Sequence, residues 1–152
     1  MPAGRFTLFR KGVRYIAQSN IDLDATNLWA APLHRGYTPN TASHSAYTQI
    51  SAFLASAGGT ALALRQLSSL NVSTTGANSV KHTASNIAGF SRGGSLFQCK
   101  RVTLFASASI GGIDNPLIGF LDVDPDLTTG VEAMQVDVQW PSSVTFKLDA
   151  NP

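Results

Sequence analysis

The chain has 152 residues, 43% of them hydrophobic and only 13% charged, with a net charge of +2 and one cysteine. That length supports one domain over residues 1–152 and leaves little room for two with a linker between them. The charged share is about half that of a usual soluble protein, so Ser, Thr, Asn, Gln, Gly and Ala must cover much of the surface.

The charge is polarised along the chain: residues 1–101 hold ten Lys or Arg against two acids, and residues 102–152 hold one Lys against seven acids. Pairing of the two halves within the fold and recruitment of charged partners both fit this pattern. A lone Cys99 excludes an intrachain disulfide and a CxxC metal site. It lies in apolar alternation, where a buried small hydrophobe is expected rather than a reactive thiol. The basic start has no apolar run of signal-peptide length, and no stretch reaches about eighteen apolar residues, so a soluble protein without membrane contact is expected.

From the N-terminus, "RFTLFRKG" predicts a short strand through Phe6 and Leu8, closed by Gly12, and residues 1–25 read as a basic arm or strand. A second strand is expected near residues 27–34, with Pro32 pointing to a sheet edge or bulge because proline donates no ladder hydrogen bond. "YTQISAFLASAGG" fits a strand or a short helix equally, and ends at Gly58 and Gly59 either way. "TALALRQL" alternates, and Gly76-Ala77-Asn78 carries hairpin chemistry between two strands. "NIAGFSRGG" is a further short strand.

"SLFQCKRVTLFASAS" is the longest strand candidate; neither of its faces is cleanly apolar, which suits a central strand crossing between environments. "PLIGFLDVD", "EAMQVDVQW" and "SVTFKLDA" complete the series, with Met134, Val136, Val138 and Trp140 on one face of the middle segment. Trp29 and Trp140 both read as core-facing. The expected fold class is all-β, an antiparallel sandwich or barrel of jelly-roll or immunoglobulin-like type, preceded by the basic arm.

Catalytic motifs fail on inspection. "GFSRG" fits a nucleophile elbow in outline, but strand-like sequence follows Ser91, and His34, His44 and His82 all precede it. Asp122, Asp124 and Asp126 alternate like the start of a calcium loop, yet Leu127 and Ala133 stand where Gly and Glu are required. The histidines lack zinc spacing. No enzyme, cofactor or metal site is expected. Arg5, Arg10, Lys11 and Arg14, interleaved with Phe6, Phe9 and Tyr15, favour docking on an acidic protein surface over nucleic acid.

The segment "NLWAAPLHRGYTPNTASHSAYTQIS" resembles a pattern met in small virion proteins of tailed bacteriophages. "NSVKHTASNIAGFSRGGSLFQCKRVTLFASA", "NPLIGFLDVD" and "VDVQWPSSVTFKLDA" extend the resemblance, in order, over most of residues 26–149. It departs where Pro32 interrupts the first strand and where "GFSRGG" replaces an aromatic. The resemblance implies a capsid cement, or decoration, protein on the virion exterior, made in the host bacterial cytoplasm. Its implied partners are the major capsid protein and further copies of itself, as a dimer or trimer. A head-to-tail connector, neck or tail protein, including a receptor-binding one, is the alternative. The expected contact residues are Arg5, Arg10, Lys11 and Arg14 in the arm, and Tyr37, Asn40, His44 and Tyr47 in the loop, against the simpler reading that this loop only covers an open end of the sandwich.

Overall fold

In chain order, strand β1 (Phe6–Leu8) leads into helix α1 (Arg10–Ala17) and then strand β2 (Leu28–Leu33). Two 3-10 turns, Tyr47–Gln49 and Ser51–Phe53, precede the two-residue strands β3 (Ser56–Ala57), β4 (Thr60–Ala61) and β5 (Arg65–Gln66). Next come β6 (Asn71–Gly76), β7 (Ser79–Thr83), β8 (Ile87–Ser91), β9 (Phe97–Cys99), β10 (Arg101–Ala106), β11 (Ser109–Ile110), β12 (Ile113–Asp114) and β13 (Leu117–Asp122). Strands β14 (Val131–Ala133), β15 (Gln135–Val138) and β16 (Val144–Lys147) close the series. The structure is a computed structural model that describes residues 6–23, 27–57, 59–68, 71–76, 79–83, 87–91, 97–122, 131–133, 135–138 and 144–147.

The chain is mostly β and is built on an antiparallel five-stranded sheet of order β1-β13-β10-β2-β5. The sheet stays open, so the barrel half of the expectation is corrected. Central strand β10 pairs Val102 with Leu121 on one side and with Pro32 on the other. Its side chains alternate: Val102, Leu104 and Ala106 point to one face, Thr103 and Phe105 to the other, and all five are buried. A strand buried on both faces reads as a continuous apolar run, which is why "VTLFA" shows no clean alternation.

Each face carries its own core cluster. Val102, Leu104, Ala106, Leu28, Ala30 and Leu121 join Phe90 of β8, Phe97 and Cys99 of β9, and Leu62 and Leu67. On the opposite face Phe105, Phe120, Leu117, Ala31 and Leu33 join Phe9, Tyr37 and Ile50. Full burial of one such large apolar side chain contributes about 1.5–3 kcal/mol, so both clusters matter to stability.

The start of the chain differs from the expectation. After β1 the residues Arg10–Ala17 are helical, and Gly12 does not close a strand. Gly12 and Tyr15 are buried while Arg10, Lys11, Val13 and Arg14 are exposed, a helical periodicity with a very narrow buried stripe. Gly12 permits close approach to β13: a Cβ there would lie 2.7 Å from the Leu117 carbonyl oxygen and 2.9 Å from Ile118 Cα. Only glycine fits such a backbone contact.

Other segments also resolve. The long candidate splits at Lys100 into β9, which pairs with β14, and β10, which pairs with β2 and β13. Central placement of its second half agrees with the expectation. Pro32 stands at neither an open edge nor a register shift, which corrects the expected edge or bulge. Beyond the Trp29–Ala30 stretch that β5 pairs, the Ala55 N–H donates to the Pro32 carbonyl at 2.9 Å, the His34 N–H donates to the Phe53 carbonyl at 3.0 Å and Leu33 bridges Leu54. The hairpin β6–β7 brackets residues 77 and 78. Residues 47–53 form 3-10 turns followed by β3. Trp29 is half-buried against the second cluster, and Trp140 lies outside the described residues.

Candidate interaction surface

Helix α1 presents Arg10, Lys11 and Arg14 to solvent, with Val13 44% exposed among them. Its first turn holds no acid, and Phe9 at the N-cap makes no side-chain capping bond. Cations at Arg10 and Lys11 therefore sit at the positive end of the helix dipole, which costs about 0.3–1 kcal/mol for each charge. Local helix stability does not explain their placement; an acidic surface laid against this turn would offset it. Arg5 lies outside the described residues.

The polar stretch after β2 is not a free loop. Asn40 folds it by an Asx turn, its Oδ1 accepting the N–H groups of Ala42 and Ser43, both at 3.1 Å. The His44 N–H donates to the Asn40 carbonyl at 2.9 Å. Gln49 Oε1 accepts the N–H groups of Ser45 at 2.7 Å and Ala46 at 3.0 Å, which tightens the entry to the first 3-10 turn. The Leu117 N–H donates to the Ser45 carbonyl and the Tyr47 N–H to the Asn115 carbonyl, so the stretch is sewn to the β13 end of the sheet.

Aromatic contacts pin it from below. Tyr37 is only 1% exposed, packs on Phe53 at 5.5 Å between ring centroids, and stacks on His44 at the same separation. Its hydroxyl bonds to His44 Nδ1 at 2.9 Å. Burial drives the Tyr37 phenol up to about 12, with the Arg101 charge acting weakly the other way. Tyr47 rests on Phe105 at 4.6 Å, and burial raises its phenol as well.

Four expected loop contacts therefore separate into two kinds. Asn40 is exposed and His44 and Tyr47 are half-buried, whereas Tyr37 is an anchor of the second core cluster and offers no surface to a partner. The arm and the loop, remote in sequence, are joined: the Arg10 N–H donates to the Thr41 carbonyl at 2.8 Å. The exposed helix face and the Asn40–Ser43 turn thus adjoin.

Arg101, which the sequence reading passed over, supports this surface from behind. Its Nη1 donates to the Tyr37 carbonyl at 2.9 Å, its Nε lies 2.8 Å from Asp122 Oδ1, and its guanidinium sits over the Phe120 ring at 5.8 Å. The Nε–Asp122 contact is off the N–H direction, so it acts as an ion pair more than as a directed hydrogen bond. It joins the basic and acidic parts of the chain, as pairing within the fold requires. Sequence offered one signal for it, a charge inside an apolar strand.

Cys99 is fully buried, and desolvation pushes its thiol up to about 12 despite backbone hydrogen bonds that act in the opposite sense. Among the described residues no group of three His, Cys, Asp or Glu is placed to hold a metal ion. Ser91 ends β8, opposite Gln135 of β15, and Asp124 and Asp126 lie outside the described residues. No family model, curated protein sequence or solved structure gives a significant match to this chain.

Proposed function

We propose that the chain is a virion structural protein that works by surface burial, as a capsid cement protein binding the major capsid protein on the outer shell. The observation that carries this reading is the hydrogen bond from Arg10 to Thr41, which sets an exposed basic helix face beside a turn of uncharged polar residues. Arg10, Lys11 and Arg14 would meet acidic residues of the shell, and Asn40, His44 and Tyr47 would add polar contacts. Several copies, associated as a dimer or trimer, would gain from effective concentration, so that individually weak contacts hold a shell together.

The fold we propose for this role is a sandwich. Phe90, Phe97 and Cys99, on strands outside the five-stranded sheet, share a core with its Val102 and Leu104, as a second layer would require.

Cosedimentation with phage heads tests the reading. The protein is expected to pellet with heads and to be released by raised ionic strength, since exposed charge contacts weaken as salt screens them. Arg10→Glu, Lys11→Glu and Arg14→Glu together should abolish pelleting while leaving the thermal midpoint nearly unchanged. Binding that survives the triple reversal removes the basic face from the reading. Electron microscopy that locates the protein at the neck or tail tip replaces the shell by the connector or tail alternative.

A further inference from the structure

Towards β5 the irregular segment does not fully close the second face of the sheet. Tyr47 rests on Phe105 at 4.6 Å between ring centroids; Phe105 stands opposite Trp29 of β2, and Trp29 stands opposite Gln66 of β5. Phe105 is buried, Trp29 and Tyr47 are half-buried, and Gln66 is exposed. In the next row the Ser107 N–H donates to the Asn27 carbonyl at 2.9 Å, and both residues are exposed. Two half-exposed aromatic rings thus flank a buried one, with polar residues along their border.

Register sets the polar groups beside the indole. The Leu67 N–H donates to the Leu28 carbonyl at 2.9 Å, so Trp29 and Gln66 form the adjoining pair without ladder hydrogen bonds, where facing side chains lie closest. Gln66 Nε2 donates to Asn27 Oδ1 at 3.1 Å, which holds both amides together on the Trp29 side. A single contact between two amides always leaves one carbonyl oxygen and one NH2 group unused. The Trp29 indole N–H and the Tyr47 hydroxyl also meet no hydrogen-bond partner among the described residues. Neither row carries a charge: Arg65, next to Gln66, pairs with Ala30 of the first cluster and so belongs to the opposite face.

We propose that this end of the sheet binds an uncharged glycan, its sugar rings lying on Trp29 and Tyr47 while the Asn27 and Gln66 amides take up two neighbouring hydroxyls. A pyranose has faces of weakly positive C–H bonds, which suit the negative face of an aromatic ring. Each of its hydroxyls both donates and accepts, so an adjacent pair complements one free carbonyl oxygen and one free NH2 group. An anionic ligand would find no cation in these rows. A purely apolar partner would bury the amides, the indole N–H and the phenol without acceptors or donors, which is costly. The site lies at the β5 edge of the sheet and helix α1 follows β1 at the other edge, so the inference goes beyond the shell-binding reading and does not rest on it.

Titration of the purified chain, without phage heads, with maltohexaose, cellohexaose and mannohexaose tests the site, read from 1H–15N spectra. At least one of these sugars should shift the Trp29 indole signal together with the Asn27 and Gln66 side-chain amide signals. Asn27→Ala combined with Gln66→Ala should weaken binding about tenfold or more, and Tyr47→Phe, which keeps the ring, about threefold. Trp29→Ala should abolish it. Hexagalacturonate, of equal length but anionic, should leave the indole signal in place. The proposal is overturned if none of the three neutral sugars moves those signals, if affinity is unchanged in the amide double variant, or if hexagalacturonate moves the indole as strongly. Should Trp29→Ala fail to fold, the double variant decides, since both of its side chains are exposed.

Discussion

On one face of the five-stranded sheet the cover includes regular structure: Phe90, Phe97 and Cys99 arrive on strands β8 and β9 and pack on Val102 and Leu104. On the other face the cover is largely an irregular polar segment that dips Tyr37 and Ile50 into the core and keeps Asn40, Ala42 and Ser43 outside. Strands satisfy their backbone groups by pairing; an irregular segment needs other acceptors. Here Asn40, Gln49, His34 and His44 supply them over two to four residues of sequence. An apolar face can therefore be sealed by a segment whose composition resembles an open surface loop, provided a few anchors and local side-chain acceptors are correctly spaced.

Truncating each cover gives the largest expected effect. Leu104→Ala, in the middle of the sheet, should cost about 2–5 kcal/mol in chemical denaturation. Ile50→Ala removes an equally buried anchor from the irregular cover, and should fall at the lower end of that range because the segment can settle into the space. Equal losses would show that the two covers are equally rigid.

A smaller effect is expected at Gln49. Gln49→Ala leaves the Ser45 and Ala46 N–H groups without their acceptor and should lower stability by about 1–2 kcal/mol, measured by thermal or urea unfolding. Gln49→Glu retains an acceptor and should restore most of the loss. If the alanine variant is neutral, local acceptors are not what holds this cover closed.

The smallest effect near neutrality comes from the two groups whose ionisation burial suppresses, one on each side of the sheet. Tyr37 and Cys99 titrate near 12 in the folded chain, against ordinary values of 10.0 and 9.0. Unfolded chains thus ionise first, so the stability these neutral groups contribute is intact below about pH 9 and is lost as pH climbs towards 12. Urea midpoints should be flat to about pH 9 and then decline, less steeply in Tyr37→Phe. Alkylation of Cys99 at about pH 8 should proceed only at the rate of unfolding or local opening.

Much of the sheet was legible in the chain. The runs around Phe6–Leu8, Leu28–Leu33, Arg101–Ala106 and Leu117–Asp122 were all expected as strands, and so was the β6–β7 hairpin. Helix α1 was not, because its buried stripe is essentially Gly12 and Tyr15, and a glycine there reads as a turn. The break at Lys100 was missed because the residues on both sides of it are strand formers. At the candidate surface, Arg10, Lys11, Arg14 and Asn40 are exposed, as partner contact would require, Arg5 lies outside the described residues, and Tyr37 is buried. A tyrosine in a polar run gives no sign that Phe53 and His44 will enclose it.

Sequence by itself determined the β class, the central place of the long apolar strand and the polarity of charge, since alternation, turn residues and ion counts are local properties. Only the tertiary structure decided that the basic residues stand on a helix, that this helix meets the 40–44 turn, and that Arg101 braces the turn from within. Those outcomes depend on contacts between residues far apart in the chain: a glycine against a carbonyl, a guanidinium between a strand and a loop, a tyrosine over a phenylalanine. No window of neighbouring residues contains them.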